Sequence, residues 1–523
     1  MTRLLQFATG LCLALYLISC GDTSRNFRMQ READVVSAST ADTIHTAEPE
    51  MNTEDYDHIV ENDFQNARQI PLSTFSIDVD RAAYSNVRRY INGGQLPPKG
   101  AVRIEEMINY FDYMYPQPAG EDPFSVHTEM AACPWNEKHK LVHIGLQGKH
   151  IATDNLPPAN LVFLIDVSGS MSDANKLPLV KSSLSMLTDQ LREQDHVAIA
   201  VYAGSAGLVL PPTSGAQKTK IKEALENLQA GGSTAGGEGI ELAYKTAREN
   251  SAGKTNSRVI LCTDGDFNVG RSSDDDLVNL IEKERESGVF LSVLGFGMGN
   301  YKDNKMQQLA DKGNGNHAYI DSENEARKIL VNEFGSTLFT IAKDVKLQVE
   351  FNPAQVQAYR LIGYENRMLA AADFNNDKKD AGELGAGHTV TALYEIIPVG
   401  VKDDFSNSVD SLKYQKTQTV AAAEFGAEWM NIKLRYKQPA GDVSKLMVQP
   451  VTPVATTLAA TSENFRFAAA VAEFGLLLRD SKFKQSASFD QVLALANEAR
   501  GKDTEGYRAG FVELVKQAVK IRN

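Results

Sequence analysis

The sequence predicts an α/β protein: a doubly wound, mostly parallel sheet inserted in a β-sandwich-like flanking domain, with helices at the C-terminal end. Three observations carry this. Between Pro157 and about Ala342 the apolar segments LVFLID, HVAIAVYAG, RVILCTDG and VFLSVLGFG are short and continuous, and helical stretches separate them. Strands buried on both faces and alternating with helices make a parallel sheet covered on each side. On either side of this region the apolar residues alternate instead, as in half-exposed antiparallel strands, and beyond about Ser462 the period turns helical.

The chain has 523 residues and a net charge of -13. That length exceeds one ordinary core, so two or three domains are expected. The acidity argues against a nucleic-acid binder, which must neutralise phosphates. Residues 1–19 carry Arg3 ahead of an apolar run from Leu4 to Ile18, too short for a comfortable membrane span and read as a signal peptide. The run closes on Leu17-Ile18-Ser19-Cys20, which resembles the lipobox of bacterial lipoproteins. The resemblance implies cleavage before Cys20, acylation of its sulfur, and a protein lipid-anchored to a bacterial membrane on the periplasmic or surface side. Cys133 and Cys262 then remain as the one possible disulfide; Cys262 lies in the strand pattern VILCTDG, which favours a buried free thiol.

From residue 20 to 68 the chain is polar and aperiodic, and is expected to be a disordered tether. The segment 69–156 reads as a flanking region. It has a helix through Tyr84, Val87 and Ile91, a second in RIEEMINYFDYM, and the strands FSVHTEMAA and KLVHIGLQG. The α/β domain occupies 157–342. In 343–457 the runs KDVKLQVEF, AQVQAYRLI, TVTALYEIIPVG and WMNIKLRYKQ are strands, expected to pair with those before Pro157; two separate β units are the alternative. In 458–523, Phe465, Ala468, Ala469, Ala472 and Leu476 mark one apolar helix face, and Val512, Val515 and Val519 another. No segment after the signal is long and apolar enough to span a bilayer, so a transmembrane channel is not expected.

In an open parallel sheet ligands bind at the carboxyl edge. The strand LVFLI delivers Asp166 there, with Ser168 and Ser170 on the following loop. RVILC delivers Thr263-Asp264-Gly265 to the same edge, and the glycine-rich loop GGSTAGG offers Thr234. Two carboxylates and three hydroxyls suit a hard divalent cation, Mg²⁺ or Mn²⁺, better than zinc. The loop lacks the Gly-Lys-Ser/Thr ending of a phosphate-binding P-loop.

DVSGS at 166–170, Thr234 in its glycine-rich loop, and TDG at 263–265 resemble the metal-ion-dependent adhesion site of von Willebrand factor type A domains, in family order over about a third of the chain. The resemblance implies that Ser168, Ser170 and Thr234 bind the metal directly, while Asp166 and Asp264 act largely through bound waters. Neutral hydroxyls leave the cation's charge largely unquenched, so a protein partner's Asp or Glu carboxylate would complete its coordination. The flanks FSIDVDRAAYSNVRRYINGGQLPP and DAGELGAGHTVTALYEI are similar to those of bacterial lipoproteins with a central domain of this type. The expected function is therefore a membrane-anchored protein-binding module and not an enzyme. Two alternatives stand beside it. One is a metal-assisted hydrolase of envelope material, for which Glu238 and Asp266 are the nearby bases; the other is a passive scaffold.

Other features are weaker. Asp373, Asn375 and Asp377 alternate as in a Ca²⁺ loop, but Lys378 and Leu384 stand where an EF-hand needs glycine and glutamate. Asp78 and Asp80 read as loop or capping carboxylates. His127, His139, His143 and His150 match no zinc spacing and are expected on a strand surface.

Overall fold

The computed structural model describes residues 54–232, 236–251, 255–265, 274–299, 301–333, 339–405, 427–439, 441–452 and 457–522. The signal segment and Cys20 lie outside the described residues. The polar stretch expected to remain free as far as Arg68 is instead docked from Glu54 onward. The Glu54 carboxylate accepts from Arg89, Tyr90 and the Gly299 N–H, and the short strand β1 (Gln65–Asn66) pairs with a strand almost three hundred residues later. Polar side chains with buried ionic partners fix this stretch, which a count of apolar residues does not register.

The flanking region continues with β2 (Leu72–Ser76), α1 (Ala82–Asn92), α2 (Ile104–Asn109), β3 (Phe124–Cys133) and β4 (Asn136–Gly148). The α/β domain follows with β5 (Ala159–Asp166), α3 (Leu177–Gln190), β6 (His196–Tyr202), β7 (Ala206–Ser214), α4 (Lys218–Glu226), α5 (Gly236–Glu249), β8 (Asn256–Thr263), α6 (Asp274–Glu286), β9 (Val289–Gly295), α7 (Asp303–Lys312), β10 (His317–Tyr319) and α8 (Glu323–Arg327). The chain then returns to strands: β11 (Thr340–Phe351), β12 (Val356–Ile362), β13 (Gly382–Gly385), β14 (Thr389–Pro398), β15 (Met430–Lys437) and β16 (Lys445–Val451). It finishes in α9 (Glu463–Arg479), α10 (Phe489–Glu498) and α11 (Tyr507–Arg522).

In the α/β domain the strand order is β10-β9-β8-β5-β6-β7, parallel except for β7. β7 returns antiparallel on β6, a hairpin that the sequence reading did not resolve. Its register slips beside Pro211 and Pro212, which cannot donate to a ladder. The order reverses about β5, which places the ligand-binding crevice at its carboxyl end.

The strands before and after this domain share one sheet. β4 pairs with β14 from Lys140–Ile396 to Gln147–Thr389, giving the order β1-β12-β14-β4-β3. A second antiparallel sheet joins β13, β11, β15 and β16, with β2 on β11. The two sheets share a core in which Phe351 stacks on Tyr359 at 3.9 Å and meets Tyr394 edge-on. The other face of the β4–β14 sheet, through Leu141, Ile362 and Leu393, packs on α1, α2 and the three C-terminal helices. α9 is therefore buried nearly all round: Phe467, Ala470, Val471 and Phe474 are as covered as the face picked out by its periodicity.

Cys133 and Cys262 are free and buried. His139 and His143 are also buried, which corrects their expected place on a strand surface. Their strand faces the helical layer, where the His139 ring bonds Glu395 and the His143 Nε2 bonds the Tyr115 hydroxyl. Asp78 and Asp80 are not plain loop carboxylates, because both pair with Arg367.

Within α9, Glu473 is fully buried, accepts the Ser488 N–H at 3.0 Å and has no partner on Oε2 among the described residues. Burial pushes its carboxyl up to about 7. A raised folded value means the group's stabilising contribution is complete below the ordinary carboxyl range and is lost as pH rises through about 7. Glu473→Gln is expected to gain about 2 kcal/mol over wild type at pH 9 and little at pH 5, read from urea midpoints. An equal effect at both pH values would contradict this.

Candidate metal-binding site

Asp166 is the last residue of β5, between β8 and β6, and its side chain is fully buried. Its Oδ1 accepts the Ser168 N–H at 2.9 Å; its Oδ2 accepts the Tyr202 hydroxyl at 3.1 Å and the Thr263 hydroxyl at 3.3 Å. The first bond folds the serine loop back over the strand end. The others tie in the last residues of β6 and β8. Burial pushes Asp166 up to about 6, against the Ser168 hydrogen bonds and aided by the charge of Asp264. A carboxylate held among neutral donors beside another carboxylate is one that a cation would relieve.

Ser168 is buried and Ser170 exposed, and their Oγ atoms lie 3.1 Å apart. Two oxygens bound cis on octahedral Mg²⁺ at about 2.1 Å stand about 3.0 Å apart. The serine pair therefore fits adjacent corners of such an ion, one corner toward the interior and one toward solvent. Asp264, fully buried, follows the last residue of β8, and Lys176 donates to its Oδ2 at 3.1 Å.

Thr234 lies outside the described residues, but the approach to it is described. The Gly231 N–H donates to the Val167 carbonyl at 2.7 Å, and the Gly169 N–H donates to the Gly232 carbonyl at 3.1 Å. Gly232 adopts φ +90°, which favours glycine, and these backbone bonds lay Gly231 and Gly232 against the serine loop. Four of the five candidate residues, Asp166, Ser168, Ser170 and Asp264, thus stand at one carboxyl edge. Among the described residues no three His, Cys, Asp or Glu side chains form a metal cage. A site resting on hydroxyls with only two carboxylates behind them would not form one.

Sequence reasoning missed Tyr202 and Lys176. The position of Tyr202 at the end of an apolar strand neighbouring β5 was a usable signal; that of Lys176, a cation at a helix start, was not. Glu238 is exposed on the first turn of α5, and Asp266 lies outside the described residues. In the Asp373–Asp377 turn, the Asp373 carboxylate accepts the Ala370 N–H at 3.3 Å and that of Asp377 accepts the Ser444 N–H at 3.4 Å. Lys346 and Lys437 donate to the Asn376 and Asp377 carbonyls, and two ammonium groups there disfavour Ca²⁺. Among the described residues no helix is long and apolar enough to cross a membrane.

Comparison with family models agrees with the α/β region. Residues 160–333 match the von Willebrand factor type A domain family, residues 50–143 a family described as von Willebrand factor, and residues 336–521 the C-terminal family of the uncharacterized protein YfbK. The chain is 44% identical over 498 residues to the uncharacterized protein YfbK of Escherichia coli K12, covering 94% of this chain and 85% of that one. A von Willebrand factor type A structure from Catenulispora acidiphila shares 17% identity over 76% of this chain and 91% of its own, with a TM-score of 0.40. The ArnB paralog VWA2 from Sulfolobus acidocaldarius shares 14% identity over 76% of this chain and 98% of its own, with a TM-score of 0.37. A domain of this type is a module for protein interaction or adhesion. The chain belongs to the YfbK family, bacterial proteins with a central von Willebrand factor type A domain.

Proposed function

We propose that the chain is a membrane-anchored, extracytoplasmic binding module that captures an Asp or Glu carboxylate of a protein partner through Mg²⁺ or Mn²⁺. The observation that carries the reading is the Ser168–Ser170 hydroxyl pair, 3.1 Å apart at the mouth of the crevice with the buried carboxylates of Asp166 and Asp264 behind it. Ser168, Ser170 and Thr234 would hold the ion, with Asp166 and Asp264 orienting its waters. When bound, the ion supplies an uncommitted positive charge at the protein surface. Acylation of Cys20 would hold the module at a bilayer.

Mg²⁺ at about 100 times its Kd should stabilise the wild-type protein by about 2.7 kcal/mol. Asp166→Ala should abolish that increment, as read from melting curves with Mg²⁺ and with EDTA. Identical wild-type curves in the two conditions would refute the reading. Globomycin treatment of producing cells tests the anchor: it should leave an unprocessed precursor if Cys20 is lipidated, and unchanged processing would refute lipidation.

A further inference from the structure

Lys176 opens α3, where the helix dipole disfavours a cation. It is nevertheless 6% exposed. Its stem runs over Gly297, which has φ +76°; a Cβ there would meet the lysine Cε at 2.5 Å and Cγ at 2.7 Å. The ammonium so placed donates to Asp264 Oδ2 at 3.1 Å and stands 3.8 Å from Asp173 Oδ2, a largely exposed carboxylate. An alkyl stem threaded over a glycine, against the helix dipole and onto a fully buried carboxylate, is a built feature of the crevice.

We infer that Lys176 sets the strength of the metal site by neutralising Asp264, trading metal affinity for carboxylate capture. This rests on the metal-site reading above. With Asp166 and Asp264 both ionised, a divalent cation would leave the crevice without net charge. Among the buried groups the lysine ammonium restores one positive charge in excess, since the Asp173 carboxylate beside it is largely exposed and screened by water. That excess repels the ion, so the metal binds more weakly, and it attracts an incoming anion, so a partner carboxylate binds more strongly. The two effects have opposite signs. A lysine that only held Asp264 in position would instead strengthen both steps. Lys176 is thus a positioning and tuning residue, with no place in the ion's own coordination.

The test uses Mn²⁺ as the probe, its free concentration followed by electron paramagnetic resonance. Acetate is then titrated against the Mn²⁺-loaded protein and read by water proton relaxation. Lys176→Gln keeps a hydrogen-bond donor toward Asp264 and removes the charge. It should tighten Mn²⁺ about tenfold and weaken acetate about tenfold, while Lys176→Arg stays within about twofold of wild type on both. Equal or weaker Mn²⁺ binding in Lys176→Gln would overturn the inference, provided its melting temperature in EDTA matches wild type. If that variant does not fold, Lys176→Met, which keeps the stem over Gly297, carries the same two expectations. Failure of both to fold would overturn the inference in favour of a structural ion pair. Wild-type protein that binds no Mn²⁺ would instead sink the metal site itself, so the two failures are distinguishable.

Discussion

Arg103→Ala is expected to cost about 3–5 kcal/mol and to split one melting transition into two. Arg103 immediately precedes α2 of the flanking region and is buried between Glu106, one turn on, and Asp303, the first residue of α7 in the α/β domain. It donates to the Asp303 carboxylate at 2.5 Å and pairs with Glu106. Burial alone would raise Asp303; the charge of Arg103 outweighs it and holds the carboxyl below its usual range. Removing the arginine strands two carboxylates that water cannot reach. That penalty, more than the lost attraction, is the main cost.

Two further joints of the same kind follow. Arg88 grips Asp321 through two bonds, at 2.6 and 2.8 Å, and reaches Glu325 at 2.6 Å; Arg81 pairs with Glu333. The α/β domain is therefore clamped to its flank by arginines, and loss of the innermost clamp should let the two melt apart. Calorimetry would show this. Replacing Arg103 and Asp303 together by Met and Leu should recover part of the loss, since Glu106 alone is then stranded. A cost below about 1 kcal/mol for Arg103→Ala would contradict the argument.

Glu395→Ala is expected to cost about the same, about 3–5 kcal/mol, for the mirror-image reason. Glu395 on β14 is fully buried and receives Arg360 of β12 at 2.8 Å and the His139 ring at 2.6 Å; Gln485 donates at 3.0 Å. The second ring nitrogen of His139 contacts Asp403 at 2.9 Å. Burial acts to raise Glu395, and the bonds from His139 and Arg360 overcome it, so its folded value lies below the ordinary range. Such a group stabilises above the unfolded carboxyl value, and that contribution is lost as pH falls through the folded one. The gap between Glu395→Ala and wild type should thus be full at pH 7 and narrow in acid. A gap independent of pH would show that lost packing, and not the stranded Arg360 guanidinium, sets the cost.

Much of the molecule follows from local pattern. The apolar runs ending in Asp166 and Thr263 establish a parallel sheet, because strands buried on both faces leave little room for polar residues. The rule that ligands sit at carboxyl ends then places Asp166, Ser168, Ser170 and Asp264 near one another before any coordinate is known. The alternation in 343–457 likewise marks strands. Its partner was a matter of choice, since alternation gives the face of a strand and not its neighbour.

The tertiary structure decided what pattern cannot encode. Residues 54–68 look like tether in composition, yet Glu54 is held by Arg89 and Ala67 by the Gln357 carbonyl of β12. His139 and His143 look like surface residues on an alternating strand, yet helices from the far end of the chain cover that face. Tyr202 reaches the Asp166 carboxylate because β6 pairs with β5, and Lys176 reaches Asp264, which is 88 residues away in the chain. The sequence by itself determined the strand and helix periods and the oxygen-bearing residues at the strand ends, because these rest on contacts between near neighbours in the chain. The buried ion pairs and the charge placed on Asp264 were decided only by the fold, because an ionic partner is chosen by proximity in space and leaves no period to read.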